Sequence, residues 1–371
     1  MKSLIIGLLA SSALAAPCVA QVTTLYRFSG ATDGENPHAG VIYQGGALYG
    51  TTGFGGTSQY GTVFKIDPAT GAETIVHRFG GGADGANPFG GLLYFGGALY
   101  GTTWSGGGTC DCGTVFKMDP VSGANSVLHI FGGADGGFPV ASLIYHAGTL
   151  YGTTSQGGAR HAGTVFSIDP ASGALRTLHS FGGLHGRYPF GSLVYAVGGL
   201  YGTASAGGAS GNGVVFRVRP ETGAATVLHS FAASGDGRRP ESGLTLYHHA
   251  LYGTTRRGGT ADLGTVFEID PKNGAESVLH SFDGTDGRVI ESGLTAHDGM
   301  LYGSGSFGGT LDLGTLYAIN PVSGAFSVLY DFASGDGILP NDVMFHGGTL
   351  YGTTDLSGED ETFGTVFSMT P

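Results

Sequence analysis

Two glutamates fifty residues apart, Glu241 in "PESGL" and Glu291 in "IESGL", occupy matching contexts and raise the question of paired carboxylate chemistry. Brought together, two such groups serve acid/base work or hold a cation, because ionising one discourages ionising the other. Kept apart and solvated they do neither, and the sequence alone favours that plainer reading. The arginines Arg160, Arg187, Arg238, Arg239, Arg256, Arg257 and Arg288 crowd one stretch of a chain whose acidic residues otherwise dominate. Guanidinium groups suit carboxylate- or sulfate-bearing ligands, unless neighbouring Asp and Glu balance the patch. Among them stand His161, His185 and Tyr188, the side chains able to move a proton in a β-elimination. Phe89, Trp104, Phe190 and Tyr188 add flat apolar surfaces of the kind that stack on sugars.

What positions these residues is a repeat. "LYG" begins at Leu48, Leu99, Leu150, Leu200, Leu251, Leu301 and Leu350, a period of 49 to 51 residues, and self-similarity near fifty marks a repeat array. One copy, "GLLYFGGALYGTTWSGGGTCDCGTVFKMDPVSGANSVLHIF" (91–131), contains four short runs rich in β-branched and aromatic residues, each bounded by Gly, Pro, Asp or Ser. That is the punctuation of strands and tight turns. The expected fold is therefore all-β, a seven-bladed β-propeller of four-stranded antiparallel blades. "LYGTT" is its second strand, with the glycine expected to admit a neighbouring backbone. "TTLYRF" from Thr23 matches the fourth run and the chain stops at the third, so Thr23–Phe28 is expected to pair with Gly364–Met369 and close the ring.

In such a blade the short turns share one face, and the longer loops share the other with the connections between blades. The long-loop face is where binding is expected. Where the repeats disagree, architecture does not dictate the residue: His38, Phe89, Val140, Phe190, Glu241, Glu291 and Asn341 occupy one such position and are expected to ring the channel mouth. On the far side of that face from the arginines the sequence places Asp111, Asp355, Glu359, Asp360 and Glu361. A recurring "DG" (Asp33, Asp84, Asp135, Asp236, Asp286, Asp336, with His185 replacing it once) invites a calcium reading, but lacks the alternating oxygen ligands of a calcium loop. A carboxylate capping its own turn accounts for it, so neither metal nor cofactor is expected. Cys110 and Cys112 in "TCDCG" form a local staple or remain thiols.

Composition narrows the class. The 73 glycines lack a Gly-X-Y period, and 28 acidic residues face 16 basic ones, which argues against nucleic-acid binding. Residues 1–20, "MKSLIIGLLASSALAAPCVA", are laid out like a secretory signal peptide, leaving 21–371 as one exported domain, extracellular or periplasmic and expected to be monomeric. No later stretch offers about 20 apolar residues to span a bilayer. Neither a Walker loop, a dinucleotide fingerprint nor a zinc-binding His-Glu-x-x-His is present.

Together "LYGTTxxGG", "GTVFxIDPxTG" and "VLHxF" resemble the GloVer tandem repeat of exported bacterial proteins, over nearly all of 23–371. The resemblance implies no general chemistry. The expectation is a module binding a glycan or another cell-envelope component on the long-loop face. The alternative is a lyase on a uronate-containing glycan, using His185, His161 or Tyr188.

Overall fold

The computed structural model describes residues 21–232, 235–357 and 363–371; the expected leader, 1–20, and Glu359, Asp360 and Glu361 lie outside them. Seven four-stranded antiparallel sheets follow one another around a ring. In the first blade the strands are Ile42–Gln44, Ala47–Thr52, Thr62–Ile66 and Glu73–Arg78. The first strands of neighbouring blades touch, so they line the central channel and the fourth strands form the rim. Among the described residues the helical elements are two 3-10 turns, Gly82–Asp84 and Gly183–His185.

The second and third strands are buried on both faces because each blade is covered by its neighbours, so they read as continuous apolar runs rather than alternating ones. The outer strand, covered on one side only, is half buried. Between the first two strands, Gly45 and Gly46 have φ of 57° and 87°, the paired positive values of a tight hairpin turn that glycine adopts without strain. In the turn before the outer strand, Asp67 Oδ1 accepts the backbone N–H groups of Ala69 and Thr70 at 2.8 and 3.2 Å.

The glycine of "LYG" has a different role from the one expected. It sits in register with the aromatic residue of the third strand (Gly152 with Phe166, Gly202 with Phe216). A Cβ there would come within 2.6 Å and 2.7 Å of those rings. It admits a phenyl ring of its own sheet, not a neighbouring backbone. Two residues on, buried threonine hydroxyls pair across the same two strands, as in Thr154 with Thr164 at 2.8 Å. In the fourth blade both members change together, to Ala204 and Val214.

The phenylalanine of "VLHxF" joins one blade to the next. Its ring meets the third-strand aromatic of the following blade in Phe79–Phe116, Phe131–Phe166 and Phe181–Phe216, with centroids 5.3, 5.3 and 4.8 Å apart. The same contact crosses the seam, where Phe28 meets Phe64 at 5.0 Å. There Val22–Arg27 pairs antiparallel with Thr365–Met369, from Val22 opposite Met369 to Arg27 opposite Thr365, and Phe28 N–H donates to Gly364 O at 3.1 Å. The ring is closed as its sequence requires. Cys110 and Cys112 are disulfide-bonded within their loop, the local staple of the two readings.

Candidate functional site at the channel mouth

Each connection between blades runs from the rim, at the end of an outer strand, to the channel, where the next blade begins. Its last residues therefore converge. His38, Phe89, Val140, Phe190, Glu241, Glu291 and Asn341 line one cavity of ≈ 240 Å³ at the long-loop end of the channel, with Asp342 and Asp355 among its walls.

The ring has two halves. Blades two to four contribute Phe89, Val140 and Phe190, and the Phe190 side chain is exposed. Phe89 is held at the centre of an aromatic series: Phe54 lies 5.6 Å away on one side and Trp104 5.9 Å on the other, with Phe138 5.3 Å beyond it. His38 meets Phe89 edge-on at 4.9 Å and leads into the polar half. Its Nδ1 lies 3.2 Å from Asp355 Oδ2, and Asn341 Nδ2 donates to Asp355 Oδ1 at 2.8 Å. Burial pushes the Asp355 carboxyl up, against the opposing pull of His38 and Asn341. Asp342, raised by desolvation within the narrow channel although its side chain reaches water, accepts the Gly293 N–H at 2.6 Å.

Glu241 and Glu291 are not separately solvated, contrary to the plainer expectation. Arg256 stands between them, its Nε 2.8 Å from Glu291 Oε1 and its Nη1 3.8 Å from Glu241 Oε2. The Nε contact is an ion pair without hydrogen-bond alignment. Arg239 Nη2 donates to Glu241 Oε1 at 2.9 Å. Desolvation within the narrow mouth raises the Glu291 carboxyl although part of its side chain reaches water; Arg256 opposes the rise, and Glu241 adds to it. The two acids thus share one site through Arg256.

The arginine patch is largely neutralised from within. Arg238 donates to Asp262 through Nε at 2.8 Å and through Nη2, and Arg288 binds Asp312 in the same two-point manner. Both pairs span 24 residues, a recurring spacing that was open to reading in the sequence. Arg257 lies in a short ladder opposite Arg238. His161, His185 and Tyr188 do not line the cavity. His161 is exposed in a loop, while Tyr188 accepts a hydrogen bond from Arg187 Nη2 at 3.0 Å.

The "DG" aspartates cap their own turns, as in Asp84 accepting Gly80 N–H at 2.8 Å. Each also reaches a side chain of the preceding outer strand. His77, His129, His229 and His280 meet Asp84, Asp135, Asp236 and Asp286 at 3.1, 2.7, 3.1 and 2.7 Å, while Tyr26 and Tyr330 donate to Asp33 and Asp336 at 2.9 and 2.6 Å. Sequence reasoning missed these partners, although the six- or seven-residue spacing of "VLH" and "DG" carried the signal. One such junction gathers a second acid: ligand atoms of His229, Asp236 and Glu276 lie within 4.8 Å of one another. Burial and the Asp236 charge push Glu276 up to about 7, with His229 opposing.

Matches to the Gloeobacter/Verrucomicrobia repeat cover residues 15–112, 106–304 and 250–371. The chain belongs to that repeat family. No curated protein matches it. Among solved structures it is similar in fold to an extracellular domain of a one-component system from B. thetaiotaomicron (13% identity, TM-score 0.63, 94% of this chain and 40% of that one). An oligogalacturonate lyase in complex with manganese is also similar (12%, 0.55, 95% and 93%), as is the computationally designed Ika8 protein (14%, 0.53, 93% and 99%). At these identities the likeness is one of fold. Among the described residues no helix is long and apolar enough to cross a membrane.

Proposed function

We propose that this Gloeobacter/Verrucomicrobia repeat protein is an exported binding module that holds a glycan at the long-loop mouth of its channel. The observation that carries the reading is the division of the mouth into an aromatic half, Phe89 and Phe190, and a half of carboxylates, guanidinium groups and amide, Glu241, Glu291, Arg239, Arg256 and Asn341. A pyranose ring has the same two-sidedness, an apolar C–H face for stacking and a rim of hydroxyls that donate to carboxylates and accept from arginine. The lyase reading draws less support, because its proton-moving residues stand away from this cavity.

The test is a glycan array on the secreted protein, followed by calorimetry on the hits. Phe89→Ala and Phe190→Ala should each weaken binding about tenfold, or about 1.4 kcal/mol, and Glu241→Gln should do so through the hydroxyl rim. Unchanged affinity in both phenylalanine variants would place the ligand elsewhere. Unsaturated product accumulating from any hit would turn the assignment to the lyase.

A further inference from the structure

The repeats provide internal controls for one another, and one junction fails to match. At six junctions an aspartate meets the imidazole or phenol of the preceding outer strand. Between blades three and four that position is His185, and the strand residue facing it, His179, has a fully buried Nε2 with no partner. The two imidazoles stand 5.6 Å apart between centroids. Burial, with His185 and Arg160 beside it, pushes His179 down to about 4. The Arg160 chain lies across Gly182, at the start of the same connection.

A second carboxylate is missing from this sector. Arg238 and Arg288 are satisfied by aspartates 24 residues onward. The residue 24 beyond Arg187 is Gly211, and a side chain built there would meet nothing within 4 Å. Arg187 is nonetheless held in place, its guanidinium 5.1 Å from the centroid of the Tyr188 ring. Among the described residues, neither Arg160 nor Arg187 has an acidic partner. This junction thus lacks the aspartate that six junctions carry and the one that two of them pair with arginine, while keeping the groups that bind them there.

We infer that the junction of blades three and four is an oxyanion site, in which Arg160, His179, His185 and Arg187 take from solution a carboxylate or sulfate group that the other junctions supply from their own chain. This rests on the glycan reading above and refines it. The connection 182–190 runs from the rim, past His185 and Arg187, to Phe190 at the mouth, so a sugar stacked on Phe190 can place an acidic substituent along that path. The ligand class becomes a glycan bearing uronate or sulfate.

The test restores what the sister repeats carry. Full-length protein is titrated with inorganic sulfate and separately with glucuronate, while the imidazole resonances of His179 and His185 are followed by NMR. Saturable shifts are expected. In the double variant His185→Asp, Gly211→Asp the affinity for both probes should fall tenfold or more while the melting temperature holds or rises, since each aspartate occupies a position where the other blades tolerate it. Arg160→Gln and Arg187→Gln should each weaken binding several-fold. Shifts that fail to saturate, or a double variant that binds like the parent, overturn the proposal. A neutral glycan serves as the separate arm: its binding should survive the double variant and weaken about tenfold in Phe89→Ala. Neutral-glycan binding that is unchanged in Phe89→Ala, with saturable sulfate binding intact, would sink the mouth assignment alone.

Discussion

The buried threonine pairs show how strongly one side chain depends on another. Thr164 Oγ1 pairs with Thr154 Oγ1 and also reaches Asp135 O at 3.4 Å, so Thr164→Val removes those bonds while Thr154 keeps Gln156 O and the residue-164 N–H, at a cost of about 0.5–1.5 kcal/mol. Adding Thr154→Ala reproduces the combination at Ala204 and Val214, and chemical denaturation should show part of the loss returning. Gly202→Ala is expected to cost about 1–3 kcal/mol, since its methyl group would press on Phe216. Glu276 and Glu73 make the fold sensitive to pH. Burial is the first cause of both rises, to about 7, and the neighbouring Asp236 and Asp33 add to it. A folded-state affinity for protons above the unfolded value stabilises the protein at low pH, and that stability is lost as pH climbs from about 4.5 to about 7. Glu276→Gln should therefore flatten the fall in melting temperature between pH 5 and 8 and be the more stable protein at pH 8. An unchanged profile would show that Glu276 ionises freely.

At the scale of strands and loops, most of the architecture is legible in the sequence. The period, the glycine turns and the apolar runs identify four strands per blade, because each of those features is local. What escaped was side-chain partnership across loops. Arg238 and Asp262 sit in different connections, and only the curvature of the blade brings them together; with one sequence, their spacing became meaningful only when Arg288 and Asp312 repeated it. The sequence of Glu241 and Glu291 suggests solvated side chains for a related reason, since nothing in their own loops announces that Arg256, from another loop, stands between them. The mouth ring was legible through variation instead: residues that architecture leaves free are those in which the repeats differ, and they converge because every connection ends at the channel.

For the whole molecule, closure is the decisive feature. The N-terminal strand completes the last blade and carries Phe28 into the first, so removing residues 21–28 breaks both a ladder and a core contact. The truncated protein should aggregate or be recovered in low yield, as an uncovered edge strand recruits other chains. A shortened protein with the parent's solubility and melting temperature would contradict this.

The seam also has a consequence in time. Val22 and its partner Met369 are separated by almost the entire chain, so a polypeptide delivered N-terminus first must carry the opening strand unpaired until the final strand arrives. Interior blades can form as they appear, each from its own fifty residues, but the clasp waits for the last to be made. Ring closure is then the final event of folding, and any delay at the C-terminus during synthesis leaves a nearly finished molecule that is still open.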